Sequence, residues 1–98
     1  MKKYFVVSLI KNGTLGGGLV ADEQGLQYHT GKVSIPSEYR RIVMKYADIC
    51  KATAGGFVLF PTIRIGMRSG ETYRFAVFGG RKCLMNILRE MGVDVSNG

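Results

Sequence analysis

Side chains able to do chemistry are sparse in this 98-residue sequence. His29 is the single histidine, beside Tyr28 in an alternating, strand-like run. A general base needs a group that orients it and a nucleophile within reach, and the sequence points to neither. His29 therefore reads as a strand surface residue. Cys50 and Cys83 are far apart and lack CxxC spacing. That argues against a zinc site or a structural disulfide, and the expectation is buried free thiols in a reducing cytosol. One His, two separated Cys and dispersed carboxylates do not assemble a metal site. No metal, cofactor or catalytic residue is expected.

Two glycine-rich stretches have phosphate chemistry in view. Gly13-Thr14-Leu15-Gly16-Gly17-Gly18 opens with P-loop spacing, but Leu19 and Val20 stand where that motif needs Lys and then Ser or Thr. The expected form of Lys11 to Gly18 is a flexible hairpin loop. Gly79-Gly80-Arg81-Lys82 is more suggestive. Free backbone N–H groups at a helix start, with two cations, can hold a phosphate or carboxylate. The plainer reading is a loop and a solvated first turn. Arg81 and Lys82 are one candidate anion site.

The elements that position these groups follow from periodicity. Ile63, Ile65 and Met67 alternate with polar or small residues, as do Tyr73, Phe75 and Val77, and Ser69-Gly70 lies between the two runs. Period two with an intervening Gly predicts a hairpin. After Gly79-Gly80 the period changes: Leu84, Ile87, Leu88 and Met91 form one helical stripe, and Gly92 suits the C′ position. Lys3 to Ile10 is a β-branched and aromatic run that reads as the first strand. Its basic start mimics a secretion signal, but the apolar run ends at Lys11 without a small-residue cleavage site. Leu19-Val20-Ala21 and Leu26 to Thr30 flank the turn Asp22 to Gly25, and Lys32 to Ile35 continues that pattern to Pro36. Between Ser37 and Lys51 the reading divides. Ile42, Val43, Tyr46, Ile49 and Cys50 fit a helical stripe with Ser37 as N-cap, yet Arg41 to Tyr46 also suits a strand. Most of the ten Tyr and Phe sit on alternating apolar faces and read as core.

Ninety-eight residues with 46% hydrophobic content make one domain with one core, residues 1–98. No stretch is long enough to span a bilayer. The formal net charge of +7 favours anionic partners, although the 14 Lys and Arg are scattered with no run longer than two.

The order of several short motifs resembles a GRAM or bacterial pleckstrin-homology-like domain. They are Leu19 to Tyr28, Val33-Ser34-Ile35-Pro36, Tyr46-Ala47-Asp48-Ile49, Phe60 to Ile65, Gly70-Glu71-Thr72-Tyr73-Arg74-Phe75 and the closing helix. The match covers about Gly16 to Met91. The resemblance implies a mainly β fold: a split barrel of two orthogonal antiparallel sheets, about seven strands, capped by a C-terminal helix. It also turns the divided segment toward a strand near Arg40 to Tyr46. The last helix has no Trp, and the first hairpin loop holds only Lys11 rather than the basic cluster of phosphoinositide-binding members. In the family, ligands often use loops at the open end of the barrel. Carried onto this chain, those are Lys11 to Gly18, Gly31 to Ser37 and Arg68 to Glu71, with Lys11, Lys32 and Arg68 as the candidate binding cations. The expectation is a cytoplasmic, non-catalytic module, peripheral at the membrane surface, that recognises anionic lipid headgroups or a protein partner. A basic nucleic-acid-associated protein is the alternative.

Overall fold

Large apolar side chains at every second position give strands buried on one face, and that pattern builds most of this chain. The structure, a computed structural model, describes residues 2–11, 13–31, 40–57 and 60–97. Strand β1 (Lys2–Ile10) turns Phe5, Val7 and Leu9 into the core and leaves Tyr4 and Val6 exposed. It is followed by β2 (Thr14–Asp22), β3 (Gly25–His29) and β4 (Arg41–Lys45), then a 3-10 turn over Tyr46–Asp48. Next come β5 (Ile49–Phe57), β6 (Phe60–Met67), β7 (Thr72–Val77), the helix α1 (Arg81–Glu90) and β8 (Val95–Asn97).

The strands form one sheet in the order β4-β3-β2-β1-β7-β6-β5-β8. Neighbours are antiparallel except β5 and β8, which run parallel through Ala52↔Val95 to Ala54↔Asn97. This corrects the expectation of two orthogonal sheets of about seven strands. Val7↔Val77, Ser8↔Ala76 and Leu9↔Phe75 hydrogen-bond β1 to β7, so the halves join, and an eighth strand is added after the helix. The sheet is strongly curled. In a flat sheet β3 and β7 would be about 14 Å apart, three strand spacings. The rings of Tyr28 and Phe75 on those strands nevertheless meet with centroids 5.4 Å apart.

The helical reading of Ser37 to Lys51 is overturned over its described part. Ile42 and Met44 are buried and Arg41, Val43 and Lys45 exposed, a period of two that pairs with β3 from Gly25↔Lys45 to His29↔Arg41. The proposed stripe fails at Val43 and Cys50, both exposed. Ser37, Pro36 and the run Lys32 to Ile35 lie outside the described residues. The expected loop at Gly16 to Gly18 is also corrected: these glycines are in β2, paired with Ser8, Val7 and Val6. A Cβ on Gly17 would sit 2.9 Å from the Tyr28 ring and collide with the His29 carbonyl oxygen, so glycine is there for close approach.

The final hairpin and helix appear where the periodicity places them. Leu84, Met85, Ile87 and Leu88 of α1 are buried in the shared core. Gly80 enters the helix at φ 79° with the Phe5 ring against it. Gly92, at φ 85°, ends it: Gly92 N donates to Arg89 O and Val93 N to Leu88 O, the paired bonds of a Schellman motif. Leu88→Ala should therefore lower unfolding free energy by about 2–5 kcal/mol in a denaturant titration. A change below about 0.5 kcal/mol would mean a loosely attached helix.

Asp22 closes the β2–β3 turn. Its Oδ1 accepts from the N–H groups of Gln24 at 2.8 Å and Gly25 at 3.1 Å, and these bonds hold its carboxyl below the ordinary 3.8. Because the folded value is depressed, this contribution is complete above the ordinary value and fades as pH falls through the depressed one. Asp22→Ala should flatten the acid limb of a melting-temperature profile below about pH 4. An unchanged limb would place that acid sensitivity elsewhere.

Candidate functional site

The outer face of the curled sheet carries what the core does not use. Tyr4 is 71% exposed, Val6 66%, and Phe60 and Phe78 46% each. They are contiguous: Phe78 N donates to Val6 O at 2.9 Å, and the Phe78 and Phe60 rings meet edge to face at 5.2 Å. Tyr4 lies two residues from Val6 on the same side of β1. An exposed cluster of large apolar residues marks a docking surface, whereas scattered ones do not. The reading of the aromatics as core fails for these three.

Cations share this outer face, most of them at a distance from the patch: Arg64 and Arg74 are four residues along from Phe60 and Phe78, and β4 is three strands from β1. Lys2, Arg41, Lys45, Lys51, Arg64 and Arg74 fall on outward positions of the strands, and the last five are exposed along with Lys2. The described acidic residues gather at turns and at the ends of α1 and β2. Asp22 is at the end of β2, with its carboxylate occupied by the turn. The outer face thus carries an apolar patch and dispersed cations, with the Asp22 carboxylate beside Arg41 and Lys45.

The cations singled out from sequence are distributed differently. Lys11 follows the end of β1, and Lys32 lies outside the described residues. Arg68 is committed: its Nε donates to Ala47 O at 2.9 Å and its backbone N to Asp48 O, which fastens the β6–β7 turn to the 3-10 turn. That turn is itself held to the end of β2 by Tyr46 OH donating to Asp22 O at 2.6 Å, the side away from Lys11. Burial, and next the Asp22 charge, raise the Tyr46 hydroxyl above its usual value, keeping it a donor.

Arg81 and Lys82 are brought together at one cleft of about 480 Å³ between α1 and the β5–β6 hairpin. Met85, Asn86, Arg89 and Pro61 also line it, with no acidic residue. Arg81 nevertheless works for the fold: its Nη1 donates to Gly55 O and Thr62 O, tying the helix start to β5 and β6. Lys82 is exposed. His29 is an exposed strand residue. Cys50 and Cys83 are free thiols, but both are exposed rather than buried. Among the described residues no group of His, Cys, Asp and Glu could hold a metal ion, and no helix is long and apolar enough to cross a membrane.

No family model matches the chain, and no curated protein matches it in sequence. Its fold is similar to that of a solved structure, the C-terminal domain of an unknown protein from Leishmania infantum. The TM-score is 0.73 at 14% identity, over 91% of this chain and 80% of that one. At that identity the similarity concerns fold alone.

Arg81 and Lys82 should separate in a stability assay. Arg81→Ala should cost about 1.5–3 kcal/mol, because two carbonyls lose a charged donor, while Lys82→Ala should stay within about 0.5 kcal/mol. Equal effects would show that the Arg81 bonds carry no structural weight.

Proposed function

We propose that this protein is a non-catalytic binding module that docks on an anionic lipid surface through the outer face of its sheet. The observation that carries the reading is the contiguous patch of Tyr4, Val6, Phe60 and Phe78 on an outer face where six strand cations outnumber the one described strand carboxylate, Asp22. Aromatic and aliphatic side chains gain by leaving water at the headgroup boundary, and each cation near an acidic surface adds about 1 kcal/mol. This face serves better than the loops bearing Lys11 and Arg68, since Arg68 is already bonded to Ala47 O. A GRAM or pleckstrin-homology-like kinship is the family reading we attach to it. The order of the sequence motifs and the seven antiparallel strands before α1 support that kinship; the single open sheet and β8 depart from it.

Aromatic residues on a basic sheet face also suit single-stranded nucleic acid, where bases stack on rings. Here Phe60 and Phe78 pack edge to face against each other, and the neighbour on β1 is Val6. Val6 offers no ring and the two Phe rings are turned against each other, so Tyr4 alone of the four stands clear for stacking, which favours lipid.

Co-sedimentation tests the reading. Vesicles of phosphatidylcholine with about 30% phosphatidylserine should retain the protein, with retention falling as salt rises. Phe60→Ser with Phe78→Ser should weaken it about tenfold or more at constant net charge. Absence of vesicle binding, with salt-sensitive binding to a single-stranded oligonucleotide, would replace this function with the nucleic-acid one.

A further inference from the structure

The outer face holds an arrangement that the protein alone does not stabilise. Arg64 and Arg74 are direct cross-strand partners on β6 and β7, and Thr53 on β5 is the partner of Arg64, so Thr53, Arg64 and Arg74 form a row across three strands. Like charges placed directly opposite each other destabilise a sheet. Both arginines are exposed. They line a hollow of about 190 Å³ with Thr53, Thr62, Gly55 and Gly56, and no acidic residue lines it. Gly55, on the same side of β5 as Thr53, keeps this hollow free of a side chain, since a Cβ there would sit 3.2 Å from Thr62 Oγ1.

We propose that this hollow is a binding site for a phosphomonoester group, held by the guanidinium groups of Arg64 and Arg74 with the Thr53 hydroxyl as a further donor. Charge and shape select that ligand class. Two guanidinium forks offer parallel N–H pairs suited to phosphate oxygens, and their joint charge matches a group carrying −1.5 to −2 at pH 7. A carboxylate would neutralise only one of them. Ligand binding converts the Arg64–Arg74 repulsion into shared attraction. Arg81 differs from this pair, because its Nη1 is spent on Gly55 O and Thr62 O.

The site is continuous with the apolar patch. Outward positions on β6 run Phe60, Thr62, Arg64, and on β7 Arg74 and Ala76 with Phe78 just past its end; Thr62 and Ala76 are buried between. Four residues at about 3.3 Å each separate the aromatic pair from the arginine pair by about 13 Å. A lipid phosphomonoester could therefore be gripped while Phe60 and Phe78 touch the membrane. That lipid form of the inference rests on the proposed membrane function; capture of a free phosphomonoester does not.

The test uses the full chain. Glycerol 3-phosphate is titrated while the side-chain Nε–H signals of the arginines are followed by NMR. At constant ionic strength, Arg64 and Arg74 should shift together and saturate, and the melting temperature should rise with ligand. The response should weaken below about pH 6, where the monoester gains a proton. Arg64→Gln with Arg74→Gln should reduce affinity at least tenfold, whereas Lys82→Gln should leave it unchanged. Each single Arg→Gln variant should melt higher than the parent without ligand, which also verifies that the variants fold. Vesicles of phosphatidate and of phosphatidylglycerol at matched surface charge then distinguish the sources. Preference for phosphatidate that disappears in the double variant assigns a lipid ligand. Saturable glycerol 3-phosphate binding without that preference assigns a free phosphomonoester. Failure of all vesicle binding with phosphate binding intact removes the membrane function and leaves this site standing. Unsaturable shifts, equal shifts with chloride, or unchanged affinity in the double variant would overturn it.

Discussion

The fold turns on where Tyr28 can lie. Its side chain is fully buried, its ring touches Phe75 on β7, and its hydroxyl donates to Leu15 O at 2.8 Å. Burial raises the hydroxyl above its ordinary value, so it stays protonated and keeps that bond. One residue thus links β3 to the start of β2 and, across the curl, to β7. This is possible only because Gly17 has no side chain where the ring passes. The glycines of β2 are therefore part of the packing that lets a linear run of eight strands roll around a single core.

Rolling the sheet divides the side chains sharply. Val7, Leu19, Leu26, Tyr28, Met44, Ile63, Ile65, Phe75 and Leu88 vanish from solvent. Every second residue is sent outward, and what arrives there is a choice the core did not make. A strand that only needed to cover the core would be expected to carry polar residues on its wet face. Tyr4, Val6, Phe60 and Phe78 break that pattern, and the same outer face carries more cations than carboxylates. Both departures are the ones on which the proposed docking to an anionic surface rests.

Much of the fold was legible because its strongest elements have clean periods. The β6–β7 hairpin, the turn at Gly70 and the stripe Leu84, Ile87, Leu88 follow from spacing alone. The Arg41 to Lys45 segment was less legible: Ile42, Val43 and Tyr46 satisfy a helical template as readily as an alternating one, and only pairing with β3 decides. β8 is three residues long, too short for any period, and is defined by its ladder to β5. Gly16 to Gly18 resembled a loop because glycine disfavours strands on its own; close approach of Tyr28 overrides that preference. The exposed apolar patch was hidden for a related reason. Alternation shows that Val6 and Phe5 face opposite ways, but both sides of that alternation are apolar.

The cations show the limit of local reading most clearly. Arg68, Arg81, Arg64 and Arg74 are equivalent as letters: the first two stand at turns and the last two between apolar strand residues. Their states diverge through contacts between distant segments. Arg68 meets Ala47 O because β5 and β6 pair with Ile49 opposite Met67. Arg81 meets Gly55 O and Thr62 O because the helix start is laid against that same hairpin. Arg64 and Arg74 stand opposite each other because of the β6–β7 register, and no described acidic residue lines the hollow they share. A cation answered by a carbonyl acts as a fastener; one answered by another cation is a reason to look outside the chain. Net charge alone does not make that distinction, and strand register does.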